Sequence, residues 1–473
     1  MVMGSIRQEA EVAVIGAGPG GYVAALRLAD LGKEVLLIEE REQTGGTCLL
    51  EGCIPSKALI TAVEIAETAK SAQKMGLTFG EASFDPDVLR EWKDSVITKL
   101  STGIDSLLKR RGVEVVQGRA RFDNNRSLSI EGGSISGIDF RQAVIATGSR
   151  VIELPAASGL PVWSSTEALQ IPSLPERLLV VGGGYIGLEL GLVYAGLGSQ
   201  VSVVEFLPRL LMGADPDLVK VMMKHAESRL SNVMSASKVV GMEHNGAGFK
   251  VAIEQEGKIE SLEYDQVLVS VGRKPNTDDL GLEHTDIEVD ERGTISTNEQ
   301  CRTSEKNIYA IGDVAPGPML AHKASREGKV AAEVIADHKS GFDNRAIPAV
   351  VFTSPEIAWT GITEVEAKDQ GLKVNVGKFP LSALGRAWTL DQTDGLVKVI
   401  ADTENGLLLG IGMVGPHASE LIAEGTLALE MGATLEDLMV TIHPHPTLSE
   451  ALNEAAEVAA GSPTHVHPVR KPT

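Results

Sequence analysis

Two of the three cysteines in this chain stand close together. The stretch 45–57 reads G-G-T-C-L-L-E-G-C-I-P-S-K and contains Cys48 and Cys53, with Glu51 between them. A zinc site would need two further ligands, and the sequence has no second cysteine pair. We expect the pair at the start of a helix that runs through Lys57, because a helix N-terminus favours the thiolate. The stretch therefore predicts a redox-active dithiol, whereas Cys301 is predicted to be structural.

A histidine near the C-terminus could transfer protons. The stretch 443–450 reads H-P-H-P-T-L-S-E. A histidine titrates near neutrality, so His445 could take a proton from a substrate thiol, and Glu450 could orient its imidazole as the acid of a catalytic triad does. The structural alternative is a capping box, in which Glu450 accepts a hydrogen bond from the Thr447 N–H. His443 is predicted to be a supporting residue.

The N-terminal part of the chain predicts a nucleotide-binding unit that would position the dithiol. Residues 11–16 form a short apolar run typical of a buried parallel strand, and Gly16, Gly18 and Gly21 follow as G-x-G-x-x-G before a helical pattern. These glycines permit a tight turn and let the backbone approach a pyrophosphate at the helix N-terminus. Glu39 ends the next strand, where a carboxylate accepts hydrogen bonds from a ribose diol.

The same unit recurs 166 residues later in the sequence. Gly182, Gly184, Gly187 and Glu205 correspond to the four residues above, and nine of the 24 positions in the two windows are identical. This duplication predicts two dinucleotide sites, each on its own doubly wound sheet. Glu205 would repel the 2′-phosphate of NADP, which favours NAD in the second site. Because a dithiol gives up electrons without a hydride, its exchange with a nicotinamide requires a flavin, which predicts FAD in the first site.

The bulk composition excludes several classes of function. The net charge of −21 argues against nucleic acid, whose phosphates demand a basic surface. No apolar run approaches the roughly 20 residues of a membrane span, and the N-terminus lacks the pattern of a signal peptide. We therefore expect a cytoplasmic protein that binds neither nucleic acid nor a membrane.

Together these motifs resemble the pyridine nucleotide–disulfide oxidoreductases over about residues 9–460, essentially the whole chain. The most specific pieces are the cysteine stretch 45–57, G-G-G-Y-I-G-L-E at 182–189, A-I-G-D-V at 310–314, M-L-A-H at 319–322 and the histidine stretch 443–450. The resemblance is closest to the members that oxidise dihydrolipoamide and reduce NAD. It implies that Cys53 faces the flavin, that Cys48 exchanges with the substrate disulfide, and that His445 acts as the base with Glu450.

The resemblance also implies a set of cofactor-binding residues. Glu39 would hold the adenosine ribose of FAD, and Asp313 would bind its ribityl region. Lys57 would lie near the isoalloxazine ring, with Glu189 as its partner. The other FAD residues would be Gly16, Gly18, Gly21, Gly46, Thr47, Ala120, Thr147, Gly148, Met319, Leu320, Ala321 and His322. The NAD site would comprise Gly182, Gly184, Gly187, Glu189, Glu205, Val239 and Gly272.

The implied architecture is α/β, with two doubly wound dinucleotide-binding (Rossmann-like) domains and a C-terminal α+β dimerisation domain. The FAD-binding domain would take residues 1–150 and 275–348, the NAD-binding domain 151–274, and the dimerisation domain 349–473. The active site would be shared between the subunits of a homodimer, whose partner would be a lipoyl-bearing protein of a multienzyme complex. The tail 461–473 is predicted to be irregular and mobile.

Several alternatives share part of this pattern. An NADPH-dependent disulfide or metal-ion reductase is disfavoured by Glu205 and by the absence of a C-terminal cysteine pair. A flavin transhydrogenase would have no use for the dithiol, and a non-enzymatic flavoprotein subunit would not need the histidine and glutamate. The family usually has Asn-Val where this chain has Leu50-Glu51. Glu51 either points into water or disfavours the neighbouring thiolates and shifts the reduction potential of the pair.

Overall fold

The structure, a computed structural model, describes residues 7–467. Of the tail predicted to be irregular, residues 461–467 contain neither helix nor strand, and residues 468–473 lie outside the described residues. No helix within the described range is long and apolar enough to cross a membrane.

The first stretch of the chain forms the elements around the dithiol. In order they are β1 (Arg7–Ile15), α1 (Pro19–Asp30), β2 (Val35–Glu39), α2 (Gly46–Glu51), α3 (Cys53–Ser71), α4 (Pro86–Arg110), β3 (Glu114–Gln117), β4 (Arg119–Asn124), β5 (Ser127–Glu131), β6 (Gly137–Ile145) and β7 (Ser149–Val151).

The middle of the chain repeats this order of elements around a second sheet. It contains α5 (Ser165–Leu169), β8 (Arg177–Val181), α6 (Tyr185–Gly196), β9 (Gln200–Val204), α7 (Pro216–Ala226), β10 (Asn232–Met234), β11 (Ser237–His244), β12 (Phe249–Gln255), β13 (Lys258–Tyr264), β14 (Gln266–Val269) and β15 (Arg273–Pro275). The chain then continues with β16 (Ile308–Ala310) and α8 (Ala321–Ile335).

The last stretch begins with β17 (Ala349–Val351). It continues with β18 (Glu356–Gly361), α9 (Glu364–Asp369), β19 (Val374–Pro380), α10 (Gly385–Thr389), β20 (Leu396–Asp402), β21 (Leu408–Gly415), α11 (Ala418–Glu430), α12 (Leu435–Val440) and α13 (Glu450–Ala460).

Two sheets carry the repeated unit: the first is mixed, because β5 pairs antiparallel with β6 and with β4, and the second is parallel. The first has the order β3-β2-β1-β6-β5-β4, and β16 joins it by pairing in parallel with β6. The second has the order β10-β9-β8-β14, with all neighbours parallel. Strand β2 is buried along its whole length, as expected for a parallel strand covered on both faces. The short strands β7 and β15 pair antiparallel, so the chain leaves the first unit and returns to it at one place.

The C-terminal part has a different architecture. Strands β17, β18, β21, β20 and β19 form one antiparallel sheet in that order, and α11 and α13 pack on it. Its core is a separate cluster of buried residues that includes Phe379, Val399 and Leu452. The sequence alone predicts helices over 417–432 and 447–460 in this part of the chain. They are present as α11 and α13, the second beginning three residues later than predicted.

Candidate active site

The two cysteines lie on consecutive helices, not at the start of one helix as the sequence predicted. Gly52 (φ −143°, ψ −102°) interrupts the helical backbone, so Cys48 lies within α2 and Cys53 is the first residue of α3. This break lets the two thiols interact across the junction of the helices, although a single regular helix would carry residues five apart on different faces. Cys48 is half-buried, Cys53 is exposed to the adjoining cavity, and both thiols are free.

The pKa values of the two thiols are shifted in opposite directions. A hydrogen bond from Cys48 stabilises the Cys53 thiolate, which outweighs the effect of burial and lowers the pKa of Cys53 to about 7; the positive charge of Lys57 lowers it further. The same hydrogen bond raises the pKa of Cys48 well above its ordinary value. Near neutral pH the geometry therefore favours a thiolate at Cys53 and a thiol at Cys48.

Three parts of the chain meet at Lys57. Its Nζ on α3 donates to Glu189 Oε2 on α6 over 2.7 Å, and the side chain of Glu189 is only 4% exposed. The other carboxylate oxygen of Glu189 accepts a hydrogen bond from the Phe352 N–H over 3.0 Å. The Phe352 ring lies beneath the ammonium, 4.4 Å from Nζ to the ring centroid, which is favourable cation–π geometry. The role of Phe352 was not evident from the sequence.

A large cavity of about 680 Å³ lies beside the dithiol. Its lining includes fifteen of the predicted site residues: Gly16, Gly18, Glu39, Gly46, Thr47, Cys48, Cys53, Lys57, Ala120, Thr147, Gly148, Glu189, Asp313, Met319 and Ala321. Glu189, predicted for both the lysine partner and the NAD site, therefore lies with Lys57 at this cavity. The cavity joins the first glycine turn to the cysteines, as a site for a long dinucleotide requires.

The glycines fit a dinucleotide because their backbone approaches leave no room for side chains. Gly16 has φ +99°, and a Cβ there would lie 2.4 Å from Ala146 O. A Cβ on Gly46 would lie 2.5 Å from the Cα of Gly18, so the cysteine helix starts directly against the glycine turn. Gly21 does not line the cavity; it lets α1 pack against Gly16, whose carbonyl oxygen would be 1.8 Å from an added Cβ.

Glu39 and Glu205 occupy equivalent positions in the two units. Glu39 Oε2 accepts a hydrogen bond from the Ala17 N–H (2.7 Å), and its Oε1 accepts one from the Arg41 N–H (3.0 Å). Glu205 makes the same two bonds, to the Gly183 N–H (2.6 Å) and the Leu207 N–H (2.7 Å). Each donor is displaced by 166 residues from its counterpart, so the repeat seen in the sequence extends to the hydrogen bonds.

The second glycine turn has the same geometry as the first. Gly182 has φ +112°, with Ser270 O 2.4 Å from an added Cβ, and Gly187 packs against the carbonyl of Gly182. Gly184 precedes α6 as Gly18 precedes α1. Gly272 lies in the turn between β14 and β15 with φ +122°. The Val239 side chain is buried in the apolar cluster behind the second sheet, so any contact of Val239 with a nucleotide would be through its backbone.

Asp313 is supported by residues that the sequence did not single out. The Ser149 hydroxyl donates to Asp313 Oδ2, and Arg273 Nε donates to Ser149 Oγ over 2.7 Å. Behind Asp313, Gly312 N–H donates to Glu327 Oε2 over 2.7 Å, and the buried Lys323 donates to Gly312 O over 3.0 Å. Lys323 and Glu327 also pair with each other. In the sequence, only their spacing of one helical turn could have indicated this pair, but lysine–glutamate pairs with the same spacing occur on ordinary helix surfaces.

Two residues of the M-L-A-H motif do not line the cavity. Leu320 precedes α8, and His322 Nε2 forms a hydrogen bond with Pro348 O over 2.8 Å, while burial lowers the pKa of the imidazole. These contacts place His322 at the passage from the first unit to the C-terminal part of the chain.

Glu450 makes both of the contacts that the sequence suggested as alternatives. Its Oε1 pairs with His445 Nδ1 over 2.9 Å, and its Oε2 accepts a hydrogen bond from the Thr447 N–H over 2.8 Å. The His445 side chain is 78% exposed, and it is absent from the lining of the large cavity within the described chain. His443 is buried instead and pairs with Glu424 Oε1 over 2.8 Å. The imidazole of His445 is thus presented outward from its own subunit.

The comparison with protein families covers most of the chain. Residues 10–328 match the family described as pyridine nucleotide-disulphide oxidoreductase, and residues 347–456 match the dimerisation domain of the same family. The chain belongs to this family. The family resemblance seen in the sequence and the predicted α/β fold class are therefore confirmed. The dimerisation domain corresponds to the antiparallel sheet with its covering helices.

Individual members of the family are similar over nearly the whole chain. The dihydrolipoyl dehydrogenase of Geobacillus stearothermophilus is 47% identical over 98% of this chain and 99% of its own length. The dihydrolipoyl dehydrogenase of Bacillus subtilis is 46% identical over 98% of this chain and 100% of its own length. Among solved structures, LpdA of Mycobacterium tuberculosis has a TM-score of 0.87 at 26% identity, covering 95% of this chain and 99% of that one. An HOCl-induced flavoprotein disulfide reductase of Escherichia coli has a TM-score of 0.84 at 27% identity, with the same coverage.

Proposed function

We propose that this member of the family oxidises a protein-bound dihydrolipoyl group to the lipoyl disulfide and reduces NAD⁺. The observation that carries the proposal is the acidic thiol of Cys53 beside Cys48, near the ion pair of Lys57 with the buried Glu189, in a cavity that also holds the first glycine turn. The names of the relatives, dihydrolipoyl dehydrogenases of similar length, support the same function.

The sulfur chemistry balances with the residues of the chain. A dihydrolipoyl thiolate attacks Cys48 Sγ of the Cys48–Cys53 disulfide, forms a mixed disulfide and releases Cys53 as a thiolate. The second lipoyl sulfur then displaces Cys48, which closes the lipoyl disulfide and leaves the enzyme dithiol with two electrons. The low pKa of Cys53 suits it to be the leaving group in the first step. Overall, dihydrolipoyl and NAD⁺ give lipoyl, NADH and one proton.

A histidine of the second subunit would take the proton of the dihydrolipoyl thiol that attacks the disulfide. His445 faces outward from its own subunit with Glu450 behind it, so we assign to each site the dithiol of one subunit and His445 of the partner subunit. Glu450 orients the imidazole, because its Oε1 lies at hydrogen-bonding distance from His445 Nδ1.

The cavity residues fit FAD. The glycine turn, Glu39 and Asp313 would hold its pyrophosphate, adenosine ribose and ribityl chain, and Lys57 would lie near the ring. Bound FAD supplies the step that the dithiol cannot perform, the passage of an electron pair to a nicotinamide as hydride. NAD would lie on the second glycine turn, where Glu205 disfavours a 2′-phosphate.

The same proposal implies a partner protein and a location in the cell. A lipoyl-bearing protein of a multienzyme complex would deliver the substrate, and the net charge of −21 suits docking on a basic module. A cytoplasmic location remains a prediction, based on a chain with only three cysteines, two of them in the active pair.

The deciding experiment is a kinetic assay of purified, flavin-loaded protein with dihydrolipoamide and either NAD⁺ or NADP⁺. We expect NADH formation at a rate well above that of NADPH formation. The absence of NADH formation would refute the proposal. A preference for NADPH with glutathione or a metal ion as acceptor would favour the alternative reductase.

A further inference from the structure

An ion pair joins the redox helix α2 to the end of strand β2. Arg41 Nη2 donates to Glu51 Oε2 over 3.0 Å, and the two side chains are 35% and 31% exposed. Glu51 is the last residue of α2 and lies between the two cysteines in sequence. Both residues line the large cavity and also a neighbouring cavity of about 490 Å³. The pair is therefore part of the wall beside the dithiol.

Helix α2 is held at both ends by contacts with other elements. Just before its start, the Gly45 N–H donates to Ala17 O over 2.9 Å, and Thr44 Oγ1 donates to Asp105 Oδ1 on α4 over 2.7 Å. At its end, Glu51 supplies a side-chain contact to Arg41. A helix C-terminus carries partial negative charge, so a carboxylate there is unfavourable unless a cation compensates it. Arg41 is that cation.

The position of Arg41 is itself fixed by the nucleotide-binding unit. Its backbone N–H donates to Glu39 Oε1, and the other oxygen of Glu39 accepts from Ala17 in the glycine turn. The second unit repeats this arrangement at Glu205, but the residue equivalent to Arg41 is Leu207, and no cysteine occurs in that unit. The guanidinium is thus present in the unit that carries the dithiol and absent from its copy.

Charge balance assigns Glu51 as the partner of the guanidinium. Arg41 Nη1 is buried and has no hydrogen-bond acceptor among residues 7–467, so Glu51 provides the compensating charge. Other titratable groups surround the pair and the dithiol. Cys48 on α2, Lys57 on α3, and Tyr185 and Glu189 on α6 face Cys53, while Glu42 and Asp94 line the smaller cavity beside Arg41.

We propose that Arg41 is a positioning residue for the redox dithiol: its guanidinium ties the end of α2 to the sheet and compensates the carboxylate that this chain carries at position 51. The inference rests on the proposed function, because it concerns the same dithiol. It decides between the alternatives that the sequence left open for Glu51. The carboxylate is neither free in water nor an uncompensated charge beside the thiols.

The test is a pH titration of the thiolate–flavin absorbance in the two-electron-reduced flavoprotein. Arg41→Met leaves the Glu51 charge uncompensated, so we expect the titration midpoint to rise by about half a pH unit. Glu51→Gln leaves the arginine charge unbalanced, so the midpoint should fall by a similar amount. The double variant should return close to the wild-type midpoint. Glu42→Gln removes an exposed charge of the same loop and is the matched control, with a smaller shift.

The outcomes are distinguishable. Unchanged midpoints in both single variants, or shifts of both in the same direction, would overturn the inference. Flavin content and melting temperature check folding; if Arg41→Met does not retain flavin, the Glu51→Gln midpoint alone decides, and a value equal to wild type overturns the inference. The titration needs neither dihydrolipoamide nor NAD⁺. A wild-type protein that titrates but does not oxidise dihydrolipoamide would therefore contradict the proposed function while the inference is still tested.

Discussion

At the scale of single residues, the acidity of Cys53 depends on a few charges arranged around it. The Cys48 thiol stabilises the thiolate most, Lys57 adds to that effect, and Glu189 opposes it. Lys57 is in turn fixed by the Glu189 carboxylate and the Phe352 ring. Residues from α3, α6 and the loop after β17 thus jointly determine the protonation state of one sulfur.

Replacing Lys57 should make Cys53 a weaker acid. In Lys57→Met the thiolate loses a nearby positive charge and retains the opposing charge of Glu189, so the pKa of Cys53 should rise from about 7 by about one unit. The midpoint of the thiolate–flavin absorbance with pH measures this shift. The midpoint of the double variant Lys57→Met/Glu189→Gln should lie between those of wild type and Lys57→Met. A midpoint in Lys57→Met equal to wild type would contradict this account.

Replacing Phe352 should have a smaller effect of the same sign. Phe352→Leu keeps the backbone hydrogen bond to Glu189 but removes the ring beneath the ammonium, a contact worth about 0.5–1 kcal/mol. A less firmly held Lys57 stabilises the thiolate less, so the midpoint should rise by about half a pH unit or less. Phe352→Tyr, which retains an aromatic ring, should restore the wild-type value; a tyrosine variant that behaves like leucine would argue against the cation–π contact.

At the scale of elements, a buried lysine links the second nucleotide-binding unit to the dimerisation domain. Lys398 on β20 is 1% exposed, and its Nζ contacts Asp215, Asp217 and Glu364 at 2.9, 2.6 and 2.9 Å. Lys378 on β19 pairs with Asp217 and Glu364 as well. The three carboxylates resemble a cation site in their spacing, but two ammonium groups already occupy the space between them.

Removing this lysine should weaken the connection between the domains. Lys398→Met leaves three carboxylates with one remaining ammonium, and breaking a buried ion pair costs about 3–5 kcal/mol. We expect a clearly lower melting temperature by calorimetry. Lys378→Met, at a position 40% exposed, is the control and should cost about 1 kcal/mol or less. Equal effects of the two substitutions would show that burial does not determine the strength of the network.

The same network predicts how stability depends on pH. Burial opposes ionisation of Asp217 and Glu364, but hydrogen bonds from Lys378 and Lys398 outweigh it and lower the pKa of both carboxyl groups. A pKa lowered by folding contributes stability that is present above the unfolded value and is lost as the pH falls. Denaturant unfolding at pH 7 and at pH 3 should therefore show a loss of stability in acid that is smaller in Lys398→Met. Parallel pH curves for the two proteins would contradict the prediction.

The structure also indicates which features the sequence could and could not predict. The glycine turns, Glu39 and Glu205 were predictable because their spacing is local and duplicated. The contact of Lys57 with Glu189 joins residues 132 positions apart and was expected only from the family resemblance, whereas the Phe352 contact to Glu189, which spans 163 positions, was not expected. The separate helix for Cys48 depends on the backbone of Gly52, and a glycine there does not reveal whether it breaks a helix or only precedes one. The partner of Glu51 was missed because Arg41 reads as an ordinary loop residue.

At the scale of the whole molecule, the proposed site requires two chains. The dithiol lines a cavity of its own subunit, while His445 points outward on the dimerisation domain. Apolar side chains of the same domain are also exposed in the single chain, including Leu427 (63%), Met431 (76%) and Ile442 (95%). An exposed apolar surface of this kind on a dimerisation domain is suited to burial against a second copy.

Mixed dimers test this sharing directly. Cys48→Ser and His445→Gln homodimers should each lose at least about 100-fold in activity, because each lacks an essential group at both sites. A heterodimer of the two variants should regain about half the wild-type activity, since one of its sites combines an intact dithiol with an intact histidine. Differently tagged subunits allow the heterodimer to be purified and assayed. Failure of the heterodimer to regain activity would place His445 and the dithiol of one chain in the same site.

The antiparallel pairing of β7 with β15 has an evolutionary consequence. Val151 lies opposite Arg273, and Ser149 opposite Pro275. The two ends of the second nucleotide-binding unit therefore lie side by side, on adjacent strands. In topological terms it occupies the loop of a β-hairpin that belongs to the first unit. A duplicated gene segment with neighbouring ends can be inserted into a surface turn without disturbing the host sheet. The duplication of the glycine turns and their acids therefore fits an ancestral unit that received a copy of itself as a loop.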